Sequence, residues 1–134
     1  MIREKKDEIE LVIVGMGVND ANTTWYGHPA SARKVYKAVY EAFTSLDELF
    51  PNAKIVFVPV LETKYGSFPS REFTYAADVA AAKACGCVDQ IITGATHWLE
   101  GMDNVTVSYD NWHPNEYGNF IIASKIADQL LGDA

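Results

Sequence analysis

Two short stretches of this sequence bring together side chains suited to chemistry. The later one reads Asp110-Asn111-Trp112-His113-Pro114. A histidine directly before a proline has its backbone restricted towards extended forms, and Pro114 marks the entrance of a helix. An aspartate three residues earlier can fold back on the same turn and accept a hydrogen bond from one imidazole nitrogen. That bond fixes the tautomer and leaves the other nitrogen as a base, the division of labour in a hydrolytic triad. The earlier stretch reads Gly15-Met16-Gly17-Val18-Asn19-Asp20. Glycines straight after a strand suggest a phosphate loop. However, Asp20 occupies the third glycine position of G-x-G-x-x-G, and no Lys-Ser or Lys-Thr follows, so neither a dinucleotide fingerprint nor a Walker loop is present. What remains is a strand-to-loop turn in which glycine relieves strain, with a polar Asn-Asp pair where a ligand would sit.

Each stretch also has a plain structural reading, in which Asp or His caps a helix and Gly makes a turn. His28-Pro29 opens the first long helix in the manner of His113-Pro114, and His97 reads as a surface residue of a loop. Cys85 and Cys87 form a C-x-C, a spacing that suits neither a common disulfide nor the usual zinc and redox patterns. They read as small buried thiols at the end of an Ala-rich helix, and no metal site is expected.

The elements that must position these residues alternate strand and helix. Met1 to Glu8 reads as a helix end or lead-in. Leu11 to Val14 is apolar on both faces and predicts an interior strand of a parallel sheet. A loop from Asn19 to Pro29 follows. Ala32, Val35, Tyr36, Val39, Tyr40, Phe43, Leu46 and Phe50 form one helical stripe, stopped by Pro51-Asn52. Ile55 to Val60 is a second buried strand. Ser70 is a good N-cap for a second helix to about Ala84, with Phe73, Ala77, Ala80, Ala81 and Ala84 inward and Gly86 as its stop. Val88 to Thr93 predicts a third strand and Val105 to Ser108 a short fourth one. Pro114 opens the last helix, which runs to about Leu131 with Gly132 as its cap. The fold class is therefore α/β: a three-layer α/β/α domain on a parallel, flavodoxin-like sheet. Functional groups in such sheets sit beyond the C-terminal strand ends, which selects the segments after Val14, after Val60 and around Ser108 to Pro114.

Composition bounds the partners. The 134 residues fit a single domain, spanning residues 1–134, and nearly half are apolar. A formal net charge of −7 disfavours nucleic acid and anionic membranes, which need clustered Lys and Arg. No apolar run approaches the ~18 residues of a membrane span. Met1 to Glu10 is charged and lacks a signal-peptide core.

The combination of G-x-N-D after one strand and D-x-x-H-P before the last helix resembles the SGNH hydrolase family of GDSL-type esterases and lipases. Gly17-Val18-Asn19-Asp20 looks like that family's third block, and Asp110 to Pro114 like its fifth; Pro114-Asn115-Glu116-Tyr117-Gly118 also fits. The resemblance covers essentially the whole chain. It implies that Asn19 donates to an oxyanion with Gly17 beside it, that His113 is the general base and that Asp110 orients it. No cofactor or metal is implied. The family's Gly-Asp-Ser nucleophile block is absent: none of the six serines follows Gly-Asp. The resemblance implies that this block, its strand and a second oxyanion block lie upstream of Met1, so that the chain is a partial SGNH domain.

The implied substrate is a carboxylic ester, an acyl or acetyl ester such as one on a carbohydrate, hydrolysed by a Ser-His-Asp mechanism whose Ser is elsewhere. The chain alone should then be inactive or very weak. A catalytically inactive SGNH-like binding module is the alternative, and an unrelated flavodoxin- or receiver-like domain a further one. Trp25, Tyr26 and Trp112 are candidates for lining a subsite or for the core. The bare strand Leu11 to Val14 is expected to pair, either with the missing N-terminal segment or in a homodimer.

Overall fold

The computed structural model of the chain describes residues 2–21, 30–61, 68–110 and 113–132. Three strands, β1 (Leu11–Met16), β2 (Lys54–Pro59) and β3 (Gln90–Ile91), form one parallel sheet in the order β1-β2-β3. Helices α1 (Val18–Ala21), α2 (Ala32–Leu49), α3 (Phe68–Cys85), α4 (Asn104–Val107) and α5 (Glu116–Leu131) surround it, with short 3-10 turns at Ile2–Glu8 and Ala95–His97.

The core follows from the character of β2. Ile55 to Val60 are all buried, as a strand covered on both faces must be. Ile55 and Phe57 join Val35, Val39 and Phe43 of α2 and Ala77, Ala81 and Ala82 of α3. The Phe43 and Phe57 rings meet edge-on, centroids 4.8 Å apart, a favoured aromatic arrangement. Val56 and Val58 face the other way and pack with Ile92 and Ala95 against Ile126 and Leu130 of α5. Alternate residues of one strand thus build two cores, and the sheet lies between α2/α3 and α5, the α/β architecture expected from the sequence.

β1 is different. Its register sets Val12 and Val14 opposite Ile55 and Phe57, and Leu11 and Ile13 opposite Lys54 and Val56. Val12 and Val14 accordingly reach the α2/α3 core. Leu11 and Ile13 point to the α5 side but remain 47% and 45% exposed. Among the described residues β1 is an edge strand with one apolar face uncovered.

Several local expectations are corrected. Val105 to Ser108 does not form a strand: Asn104–Val107 is one helical turn, although its valines favour strands. The Asp103 side chain accepts from the Val105 N–H at 2.9 Å, and its carbonyl accepts from Thr106 and Val107, so a cap overrides propensity. Val107 is then buried with Leu99 and Ile122. The first long helix is opened not by His28-Pro29, which lies outside the described residues, but by Ser31, whose hydroxyl caps Lys34 N–H. Asn19 and Asp20 lie in α1 rather than in a loop. The third strand is shorter than expected, and α3 begins at Phe68 rather than behind a Ser70 cap. On α3, Phe73, Ala80 and Ala84 are exposed, while Arg71, Thr74 and Asp78 are buried with Ala77 and Ala81. Cys85 and Cys87 are free and half-buried, and burial pushes the Cys87 thiol up to about 11, consistent with an inert structural role.

Candidate active site

The turn after β1 is the first of two loci. Met16 receives the Val60 N–H on its carbonyl at 2.8 Å, tying the ends of β1 and β2 together. The chain then turns at Gly17, whose φ of +104° suits glycine alone. Space demands glycine as well: a Cβ there would lie 2.2 Å from Asp78 Oδ2 and 3.0 Å from Val60 Cγ2. Val60 itself has a φ of +49°, a costly value for a β-branched residue. After Gly17 the single turn of α1 presents Asn19 and Asp20 at the surface and buries Ala21. Asn19 makes no hydrogen bond to the acid or the histidine of the second locus among the described residues. Desolvation pushes the Asp20 carboxyl above its ordinary value.

The second locus is the loop entering α5, and two fastenings shape it. Ser108 and Pro114 form an antiparallel bridge. Asn115 caps α5 by accepting from Gly118 N–H at 2.9 Å, while its own amide donates to the Thr106 carbonyl and its N–H to that of Val107. The cap at Asn115 starts the helix at Glu116, two residues beyond the Pro114 expected from the sequence. Gly118 is required because a Cβ there would sit 2.3 Å from the Val107 carbonyl oxygen. The two ends of the segment that carries Asp110 and His113 are thereby held together.

Within it Asp110 makes two contacts with one residue. Its Oδ1 accepts from the His113 backbone N–H at 2.6 Å, and its Oδ2 accepts from Nδ1 of the His113 ring at 2.6 Å. A carboxylate can only accept, so Nδ1 carries the hydrogen and Nε2 is the imidazole's open nitrogen. The Tyr109 ring stacks on the imidazole with centroids 5.7 Å apart, fixing the ring plane from one side. The His113 side chain is 58% exposed, and among the described residues no hydrogen-bond partner meets its Nε2. The structure therefore brings Asp110 and His113 together and sets Gly17 and Asn19 at the end of β1. Trp25, Tyr26 and Trp112 lie outside the described residues.

A second histidine also sits between acids. His97 Nδ1 contacts Glu100 Oε2 at 2.7 Å and Nε2 contacts Glu72 Oε1 at 2.5 Å. The hydrogen bond to Glu72, then that to Glu100, raises its pKa above the ordinary value. Both ring nitrogens are engaged, so this imidazole fastens the segment after β3 to α3. Among the described residues no group of three or more His, Cys, Asp or Glu could hold a metal ion, and no helix is long and apolar enough to cross a membrane.

The sequence reading missed the buried polar stripe Arg71, Thr74 and Asp78, which meets Gly17 from below. The signal was present as a spacing of three and four residues that continues into Ala81, Ala82 and Cys85. In an Ala-rich helix, however, the small residues fit either face.

No family model matches the chain, and no curated protein matches it. Among solved structures it is similar to a "putative GDSL-like lipase" from Parabacteroides merdae, with a TM-score of 0.66 at 16% identity, covering 92% of this chain. The chain spans 64% of that protein's length. At this identity the likeness shows a shared α/β fold of GDSL-like type.

Proposed function

We propose that this chain carries the acid–base half of a serine-type hydrolase acting on carboxylic esters. The observation that supports it is the Asp110–His113 pair, with Nδ1 held by a carboxylate and Nε2 open to solvent. In this reading a serine Oγ attacks the ester carbonyl while His113 Nε2 takes its proton. Asp110 keeps the tautomer and offsets the imidazolium charge. Asn19, on the turn that Gly17 allows, donates its side-chain N–H to the tetrahedral oxyanion. His113 then returns the proton to the leaving alcohol, and water repeats the sequence on the acyl-enzyme. The substrate class is an acyl or acetyl ester, including esters carried by a carbohydrate.

The serine is supplied by a strand paired along the free edge of β1. Leu11 and Ile13 are exposed there, and a strand at that edge ends beside Gly17 when it runs parallel. A second copy of the chain is the other partner such an edge can take.

The test is hydrolysis of 4-nitrophenyl acetate by the chain, compared with its His113→Ala and His97→Ala variants. The expected result is slow hydrolysis that depends on His113 and not on His97. Equal losses in both variants would remove His113 from its role. Rapid turnover through an acyl-serine would place the nucleophile within these 134 residues.

A further inference from the structure

Asp78 is fully buried on α3, and neither carboxyl oxygen has a hydrogen-bond partner among the described residues. Buried polar groups are normally satisfied, and an interior carboxylate without a donor is strongly disfavoured. Thr74, one turn earlier on the same face, is also fully buried, and its hydroxyl has no partner among the described residues. What Asp78 does approach is the underside of the turn after β1: its Oδ2 lies 2.2 Å from where a Cβ of Gly17 would be.

We propose that Asp78 is a positioning residue for Asn19: its carboxyl bears on Gly17, and gain or loss of its proton moves the turn that carries Asn19. The inference rests on the reading of Asn19 as an oxyanion donor. It adds a control element that the acid–base pair does not contain.

The surroundings determine which side gives way. α3 is a regular helix wedged against α2, whose inward residues Val35, Val39 and Phe43 are apolar. The turn is softer, because Gly17 has the widest backbone freedom of any residue and Val60 beneath it is already strained. Among the described residues the charged groups around Asp78 are few. Asp20 of α1 repels its ionised form, Arg71 lies two turns back on the same stripe, and Val60, just after β2, brings no charge. His97, whose other ring nitrogen meets Glu100, engages Glu72, which stands earlier on α3 than Asp78. Burial first, and the Asp20 charge second, push the Asp78 carboxyl up to about 7. Both protonation states are then populated near neutral pH. The neutral acid packs against Gly17 as it stands. The carboxylate needs a donor or water, and the glycine turn is the neighbour able to shift and admit one.

Heteronuclear NMR of the chain between pH 5 and 9 tests this. The Asp78 carboxyl carbon, the Gly17 and Val18 amides and the Asn19 side-chain amide should titrate with one midpoint within about a unit of 7. In Asp78→Asn, which mimics the protonated acid, the turn signals should stay at their low-pH positions throughout. In Asp20→Asn the midpoint should persist but move down, because the repelling charge is gone. This second variant and the wild-type carboxyl signal keep the test decisive if Asp78→Asn does not fold. An Asp78 that stays ionised from pH 5 to 9, or turn signals that titrate unchanged without it, would overturn the proposal. The parent reading fails separately. If the turn titrates but Asn19→Ala leaves ester hydrolysis unchanged, the coupling stands and the oxyanion role does not.

Discussion

His113 and His97 begin from the same ingredients and end in different states. Each is largely exposed and lies three residues from an acid whose carboxylate meets its Nδ1, at 2.6 Å from Asp110 and 2.7 Å from Glu100. They differ at the far nitrogen. Glu72 reaches His97 Nε2 from α3, so both nitrogens are occupied and the ring acts as a cross-link. His113 is held on one nitrogen, stacked by Tyr109 and pinned in its loop by the Ser108–Pro114 bridge and the Asn115 cap, and Nε2 is open. An acid at the right spacing is therefore not a functional signal in itself. The informative feature is a partner on one side with nothing on the other.

Substitutions can break this comparison. If the proposed serine-type reading holds, the largest effect is expected from His113→Ala in the serine-bearing assembly which that reading requires. Loss of the general base should lower kcat/KM by about 10²–10⁴-fold, with His97→Ala within about twofold of wild type; steady-state kinetics on an acetyl ester reads both. Asp110→Asn keeps the shape of the pair but removes its charge and allows the wrong tautomer, and a loss in kcat of up to about 10⁴-fold is expected. Glu100→Gln, the matched change beside His97, should leave the rate unaltered. Asn19→Ala should cost about 3 kcal/mol at the transition state, on the order of 100-fold in kcat with KM little changed.

The smallest effect concerns stability and runs the other way. Two carboxylates raise the His97 pKa, so the clamp contributes fully below the unfolded histidine value of ~6.5. Its contribution fades as pH rises through the higher folded value. The side chain is 46% exposed, and solvent screening holds the contribution to less than about 1 kcal/mol. Urea unfolding should show His97→Gln losing that amount at pH 6 and nothing measurable at pH 9.

The same contrast between local and distant partners explains what the sequence made legible. The Asp110–His113 pair could be read because both residues share one loop and their spacing carries the geometry. β2 and α2 could be read because unbroken apolar runs and a clean helical stripe leave few alternatives. The helix at Asn104–Val107 could not: Val105-Thr106-Val107 carries strand propensity, and the cap from Asp103 together with burial of Val107 decides otherwise. Glu72 reaching His97, and Asp78 reaching Gly17, depend on how α3 rotates against the sheet. An Ala-rich helix leaves that rotation undetermined until it packs.

The account rests most directly on which nitrogen of His113 carries the proton. Long-range ¹H–¹⁵N correlation of the nitrogens of the neutral imidazole reads this without any substrate. The account predicts a predominant Nδ1–H tautomer, with Nε2 showing the shift of an unprotonated nitrogen, and loss of that preference in Asp110→Ala. A ring that is mainly Nε2–H, or one whose tautomer is unaffected by removing Asp110, would contradict it.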